Sequence, residues 1–230
     1  MIDKKTYEVG HMLCNSNSYL SMRNLCSLMF EVSFSQASRV EKDLGMEDLA
    51  WMVYSWDIKI IEPIKLGDRI EIATLPTKMK RFYAYRNFEV KRDGKRVGLA
   101  HTTFLLFDRK KLRPVIIDKK ILEAYGSEKE IYCPDKISLA SEFEKSMDIY
   151  TRKADIDVNG HVNNAVYFDY VREFSGLSDE NIAYINLTYR NEIRNMDKVR
   201  AEYTKVDSGV DFRIVSDGTI HSYGKIVSYV

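Results

Sequence analysis

One order of elements occurs twice along this chain: a polar turn, an apolar run at helical spacing, and a series of strand-like segments. In the first half the turn is Cys14-Asn15-Ser16-Asn17-Ser18. A helix is expected over about residues 19–44, with Leu20, Leu25, Leu28, Met29 and Val32 on its apolar face. Residues 7–13 read as a preceding strand. Strand-like runs follow at 51–61, 69–75, 82–92 and 96–107, with Pro63, Gly67-Asp68 and Asp93-Gly94 as breaks. The second half repeats the order: a strand at 147–152, a polar turn, a helix at about 162–174, and strands at 184–190, 198–206, 211–216 and 220–229. Helix followed by meander, twice, limits the chain to an α+β architecture with antiparallel sheet. The charged stretch 108–146, with a short helical pattern at 119–125, reads as a connector. The expected division is 1–118, a connector at 119–145, and 146–230.

Composition narrows the class. Among 230 residues, 45% are hydrophobic, enough for a core, and the formal net charge is +1. That balance does not point to bulk nucleic-acid binding. No apolar stretch approaches the roughly 18 residues that a membrane-crossing helix needs. Met1-Ile-Asp-Lys-Lys-Thr-Tyr lacks an apolar signal core and does not read as a transit peptide, which suggests a bacterial relative or a mature form. Cys14, Cys26 and Cys133 are odd in number and irregular in spacing, which argues for reduced thiols and a cytoplasmic setting.

The turn of the second half carries the chemistry. Asp155-Ile-Asp157-Val-Asn159-Gly-His161-Val-Asn163-Asn164 gathers six polar side chains, including one of four histidines, directly before an apolar run. If this lead-in were extended, Asp157, Asn159 and His161 would point to one side. A helix start at Val162 would add unpaired backbone N–H groups. Taken singly, each Asp or Asn here is more commonly a cap or a turn residue. One cap, however, needs one acceptor, and the first-half turn has neither Asp nor His. Acyl-transfer chemistry calls for a base, an orienting amide and oxyanion donors. Asp157, Asn159 and His161 supply the first two, and the amides of Val162 and Asn163 are candidates for the third.

Asp157-Val-Asn159-Gly-His161-Val-Asn163-Asn164 with Tyr167 resembles the D-x-N-x-H-V-N-N-x-x-Y signature of the acyl-ACP thioesterases, matching every fixed position. Tyr189-Arg190-Asn-Glu192 is similar to that family's Y-R-x-E motif, whose Glu belongs to the active site. The likeness extends over nearly the whole chain, including Leu49-Ala-Trp51-Met-Val53. It implies two tandem hotdog folds, each a long helix wrapped by an antiparallel sheet, with the two sheets joined edge to edge. It also implies hydrolysis of fatty acyl-ACP to free fatty acid, ending fatty-acid synthesis. In plant members a Cys, once considered the nucleophile, usually follows the Glu. Here that position is Ile193, so the resemblance favours a carboxylate-centred mechanism.

The candidate catalytic set is therefore Asp157, Asn159, His161 and Glu192. Asp157 either activates water or attacks directly to form a mixed anhydride. His161 orients water or protonates the leaving sulfur. Glu192 could instead pair with Arg190 or Arg194. Asn163, Asn164 and Tyr167 read as supporting residues. By the resemblance the first half holds the acyl chain, with Leu25, Leu28, Met29, Trp51, Val53 and Trp56 as candidate lining, although apolar residues on such a stripe are ordinarily plain core. Trp56 is the candidate limit on chain length. No cofactor is implied. His11, His101, His161 and His221 lack metal-ligand spacing, so no metal site is expected.

The implied partner is acyl carrier protein, small and acidic, with its acyl chain on phosphopantetheine. Lys78-Met-Lys80-Arg81 with Tyr85-Arg86, Arg109-Lys110-Lys111 with Arg113, and Arg190, Arg194, Lys198 and Arg200 are candidate docking clusters, though charge runs are usually solvated surface. A homodimer is compatible with such a fold. The alternatives are an acyl-CoA thioesterase and a non-catalytic acyl-binding protein.

Overall fold

The computed structural model describes residues 2–194 and 198–229. The first half contains β1 (Asp3–Glu8), α1 (Met22–Val40), β2 (Leu49–Ile60), β3 (Arg69–Lys80), β4 (Tyr83–Arg92) and β5 (Lys95–Asp108). A short β6 (Arg113–Pro114) and α2 (Lys119–Tyr125) follow. The second half contains β7 (Lys145–Tyr150), α3 (Val166–Ser175), β8 (Ile182–Tyr189), β9 (Lys198–Val206), β10 (Gly209–Ser216) and β11 (Thr219–Ser228).

Among the described residues the strands form one sheet in the order β1-β3-β4-β5-β2-β8-β11-β10-β9-β7, with β6 on β5. Every pairing is antiparallel. The halves meet where β2 pairs with β8, from Ser55↔Thr188 to Lys59↔Tyr184. The expected double hotdog, joined edge to edge, is the observed architecture. Joining the sheets this way pairs the inner edge of each half. α1 and α3 lie on the same face and are tied by an Arg23–Asp169 ion pair at 2.8 Å. Trp56, Ile58, Phe88, Ile185, Leu187 and Phe212 point from the sheet into the core they share with both helices. At the crossing of β11 with β8 only glycine fits, because a Cβ at Gly224 would lie 2.0 Å from the Asn186 carbonyl oxygen.

The opposite face of the sheet carries a polar row. Asn87, His101, Asp57, Asn186, Lys225, Asp211 and Thr204 are successive cross-strand partners from β4 through β9. Such a row would normally be solvated, yet all of them but Lys225 are buried. The connector covers it: the Ile131 and Tyr132 amides donate to Asn87 Oδ1 at 2.9 and 3.1 Å, and the Ala140 amide donates to Asp211 Oδ2 at 2.8 Å. Asp57 accepts from the Tyr184 hydroxyl at 2.7 Å and from Asn186 Nδ2 at 2.9 Å. Burial pushes its carboxyl up from the usual range, against the pull of those two bonds and of His101.

Several elements differ from expectation. Residues 7–13 are not one strand: β1 ends at Glu8 and His11–Leu13 is a single 3₁₀ turn. α1 starts at Met22 rather than 19, because Tyr19 and Leu20 are bridged to Lys65 and Cys14 and Ser21 caps the helix, accepting from the Asn24 amide. It ends at Val40, before the expected 44. β3 runs past Pro76 to Lys80, the register shifting between Pro76 and Lys78, which absorbs the missing proline N–H. α3 starts at Val166, not at 162, for a reason that lies in the loop before it.

Candidate active site

The loop before α3 closes on itself. The Asp157 amide donates to His161 O at 2.9 Å and the Gly160 amide to Asp157 O at 3.0 Å, while Ile156 and Val162 form a bridge. Gly160 sits at φ 78°, the left-handed region that glycine enters without strain. The lead-in is thus a tight turn and not the extended segment that the alternation suggested. Asp157 and His161 face each other across it all the same.

Backbone bonds then delay the helix. The Val162 amide donates to Ile193 O at 2.9 Å and the Asn163 amide to Asp155 O at 2.8 Å. Both are committed to sheet-like pairing. This corrects the expectation that they serve as oxyanion donors: neither N–H is free in this arrangement. Asn163 Oδ1 accepts from the Ala165 amide at 2.8 Å, so this side chain does help to start the helix.

His161 lies between two carboxylates. Its Nε2 is 3.5 Å from Glu192 Oε1 and its Nδ1 is 3.9 Å from Asp157 Oδ1. Each carboxylate is oriented by its own partners. Asp157 Oδ1 accepts from the Asn159 amide at 2.7 Å, and Oδ2 from Asn159 Nδ2 at 3.3 Å. Glu192 Oε2 accepts from Arg194 Nε at 2.9 Å and Nη2 at 2.5 Å, which leaves Oε1 turned to His161. The pairing of Glu192 with Arg194 and its place beside His161 are therefore compatible. The side chains of His161, Asp157 and Glu192 are 17%, 19% and 29% exposed, so the cluster is reachable from solvent yet sheltered.

Buried groups support the cluster. Asp155 accepts from Arg152 Nη2 at 2.8 Å and from the Tyr170 hydroxyl at 2.9 Å. Burial alone would raise its carboxyl; the bonds from Arg152 and Tyr170 outweigh it and hold the group below the usual range. Tyr167 is buried edge-on against Tyr189 at 5.1 Å, and the Tyr189 hydroxyl donates to Asn164 O at 2.7 Å. Burial pushes the Tyr167 phenol up, the Ile193 backbone opposes this, and Glu192 adds to the rise, so the hydroxyl stays protonated. The anchoring by Asp155, Tyr170 and Tyr189 was not anticipated. The only sequence signal was a second Asp two positions before Asp157.

The first half holds the same loop scaffold without the Asp, His and Glu side chains. The Asn15 amide donates to Tyr19 O at 2.7 Å, the Ser18 amide to Asn15 O at 3.1 Å, and the Leu20 amide to Ile64 O at 2.8 Å. The Asn17 amide donates to Asn15 Oδ1 at 2.9 Å, as Asn159 does to Asp157. By these bonds Asn15, Asn17 and Tyr19 occupy the places of Asp157, Asn159 and His161, and Pro63 that of Glu192. The degenerate loop is a structural contact instead: Asn15 Nδ2 donates to Asp179 and Glu180, each at 3.0 Å, just before β8.

The acyl-lining candidates divide. Trp51 borders a small recess in the first half that opens to solvent, along with Phe34, Ala37, Met79 and Phe104. Leu25, Met29 and Trp56 are not among the residues lining it, and all three are buried in the main core. Leu25 instead borders a smaller recess beside the degenerate loop, with Tyr19, Pro63 and Asp179. Trp56 packs edge-on against Phe30 at 5.0 Å and beside Phe88 at 5.4 Å. Among the described residues no three His, Cys, Asp or Glu side chains are arranged so as to hold one metal ion.

Comparison with known proteins bears on the family and the fold. The acyl-ACP thioesterase N-terminal domain model matches residues 2–125, and the C-terminal domain model matches residues 138–226. The chain is 24% identical over 226 residues to the chloroplastic oleoyl-acyl carrier protein thioesterase 1 of Arabidopsis thaliana, an alignment covering 85% of this chain and 60% of that protein. It superposes on an acyl-ACP thioesterase from Bacteroides thetaiotaomicron with a TM-score of 0.86 and 19% identity, over 99% and 98% of the two chains. For the 12:0-ACP thioesterase of Umbellularia californica the TM-score is 0.82 at 19% identity, over 99% and 97%. At such identities the structural likeness is one of fold. The two family models, spanning both halves and their loops, settle the family: the chain belongs to the acyl-ACP thioesterases.

Proposed function

We propose that the protein hydrolyses the thioester of a fatty acyl group carried on acyl carrier protein, releasing free fatty acid. The observation that carries this reading is the placement of His161 between Asp157 and Glu192 on a scaffold whose first-half copy has lost all three groups. Water attacks the thioester carbonyl while a carboxylate, Asp157 or Glu192, takes its proton. The carbon–sulfur bond breaks and the departing thiolate takes a proton from His161. Separations of 3.5 and 3.9 Å are of the kind that tighten when substrate binds. Asn159 fixes the Asp157 carboxylate and keeps a second amide hydrogen to offer a developing oxyanion. Direct attack by Asp157 is the competing route, and oxygen-18 appearing in Asp157 after a single turnover would select it. A cysteine nucleophile has no support, because Ile193 follows Glu192 and Cys14, Cys26 and Cys133 lie on other segments.

On this reading the second half is catalytic and the first half holds the acyl chain. The carrier docks beside the site, where exposed Arg190 reaches the Tyr54 hydroxyl at 3.4 Å and Tyr54 meets Tyr83 at 5.7 Å. Lys80, opposite Tyr83 at the β3–β4 turn, and Arg81 are also exposed. These cations suit an acidic partner, and raised salt should weaken turnover. The free thiols fit a reducing cytoplasm. The deciding experiment is thiol release from acyl-ACPs and the matching acyl-CoAs, with Asp157→Ala beside wild type. Asp157-dependent release from acyl-ACP supports the proposal. Faster release from CoA would replace it with a CoA thioesterase, and no release from either would leave a binding role.

A further inference from the structure

The recess in the first half is apolar on most sides, but its lining includes Arg86 and Tyr125, both buried. Arg86 is 7% exposed. Its Nη1 donates to Gln36 Oε1 at 2.5 Å and to Thr74 Oγ1 at 2.7 Å, both neutral acceptors. Its guanidinium lies 5.7 Å from the centre of the Tyr125 ring. The Tyr125 hydroxyl donates in turn to Glu41, which also accepts from Trp51 Nε1 at 2.6 Å. Among the described residues no carboxylate forms a direct ion pair with Arg86. Residues of α1, β3 and α2 therefore converge on one cation at the wall of a mostly apolar space.

We propose that Arg86, held by Gln36, Thr74 and Tyr125, is the specificity-determining residue for the far end of the acyl chain. This rests on the proposed function. A methyl-ended chain gains by filling the apolar part of the recess. Once it reaches the guanidinium the gain stops, because further methylenes would cover a charge without giving it a hydrogen bond. Moving the side chain aside would break its bonds to Gln36 and Thr74. The wall is thus a stop for hydrocarbon. Phe88, two residues along β4 on the same face, and Trp56 beyond it are shielded by this stop.

The test measures kcat/KM across a ladder of saturated acyl-ACPs for wild type, Arg86→Met, Arg86→Lys and Ala37→Leu. Arg86→Met should move the peak to longer chains, with the first chain beyond the wild-type limit gaining about tenfold relative to the old peak. Arg86→Lys keeps the charge and should keep the limit. Ala37→Leu fills the recess and should move the peak to shorter chains, a result that stands even if Arg86→Met does not fold. A uniform fall in Arg86→Met with an unmoved peak, or an unmoved peak in Ala37→Leu, would overturn the inference. If wild type releases no thiol at all, the proposed function fails by itself. The recess is then read from Trp51 fluorescence on titration with free fatty acids. The tightest-binding length should still rise in Arg86→Met, and equal preferences in the two proteins would overturn the assignment.

Discussion

His161 Nε2 and Glu192 Oε1 lie 3.5 Å apart, although the two residues come from different elements, the loop before α3 and the segment after β8. The contact is held by backbone pairing of the two segments, Val162 to Ile193 and His161 opposite Arg194. The geometry of this candidate cluster is thus a property of the sheet's margin rather than of either side chain.

Removing either carboxylate function should cripple turnover and spare the fold. Asp157→Asn and Glu192→Gln keep the shape of each side chain and lose its basicity. Each should lower kcat by about 10²-fold or more, the usual worth of a positioned base. Thiol release at saturating substrate, with circular dichroism as the control for folding, checks this.

Asp155 predicts an acid limit on stability. Its folded pKa lies below the unfolded one, so the stabilisation is fully present above the ordinary carboxylate value and is lost as pH falls through the folded value. Asp155→Asn should cost about 2 kcal/mol near neutral pH, the scale of hydrogen bonds to a charged group, and should flatten the loss of stability below about pH 4. Urea unfolding across that range is the measurement.

Asp57 predicts the opposite sign. Burial raises its folded pKa, so keeping it charged at neutral pH works against the fold. Asp57→Asn still accepts from Tyr184 and Asn186 and should raise stability by about 1 kcal/mol near pH 7. The gain should shrink as pH falls through the raised folded pKa and the wild-type carboxyl neutralises. Thermal unfolding of both proteins at neutral and mildly acid pH reports it.

Trp56→Ala should be costly to stability rather than selective. The indole is fully buried between Phe30 and Phe88, and its N–H has no partner among the described residues, so its role is packing. Truncation should destabilise by about 3–5 kcal/mol. A variant of unchanged stability with a shifted chain-length profile would contradict this.

The fold was legible because hydrophobic period and turn residues repeat in both halves. Periodicity alone reached α+β with antiparallel sheet; the edge-to-edge joining of the two sheets came from the family resemblance. The candidate site was legible only as residue types: Asp157, His161 and Glu192 lie together in the structure. What escaped the sequence is tertiary in origin. Nothing local says that Ile193 and Asp155 will take the Val162 and Asn163 amides, and that loss moves the start of α3. Nor does spacing show the connector lying over Asp57 and His101, since those residues become buried only when a segment distant in sequence crosses them. Arg86 looked like part of a surface cluster because its neighbours Lys78, Lys80 and Arg81 are surface residues. Strand alternation turns it inward.

The matching hydrogen bonds of the two loops carry an evolutionary consequence. In a symmetric pair of identical subunits every substitution appears twice, so a residue cannot be tuned for chemistry at one position and for storage at the other. Here Tyr19 and His161 occupy equivalent places yet mutate separately. Joining the halves through β2 and β8 releases each from its twin, so either loop can change while the other stays as it is.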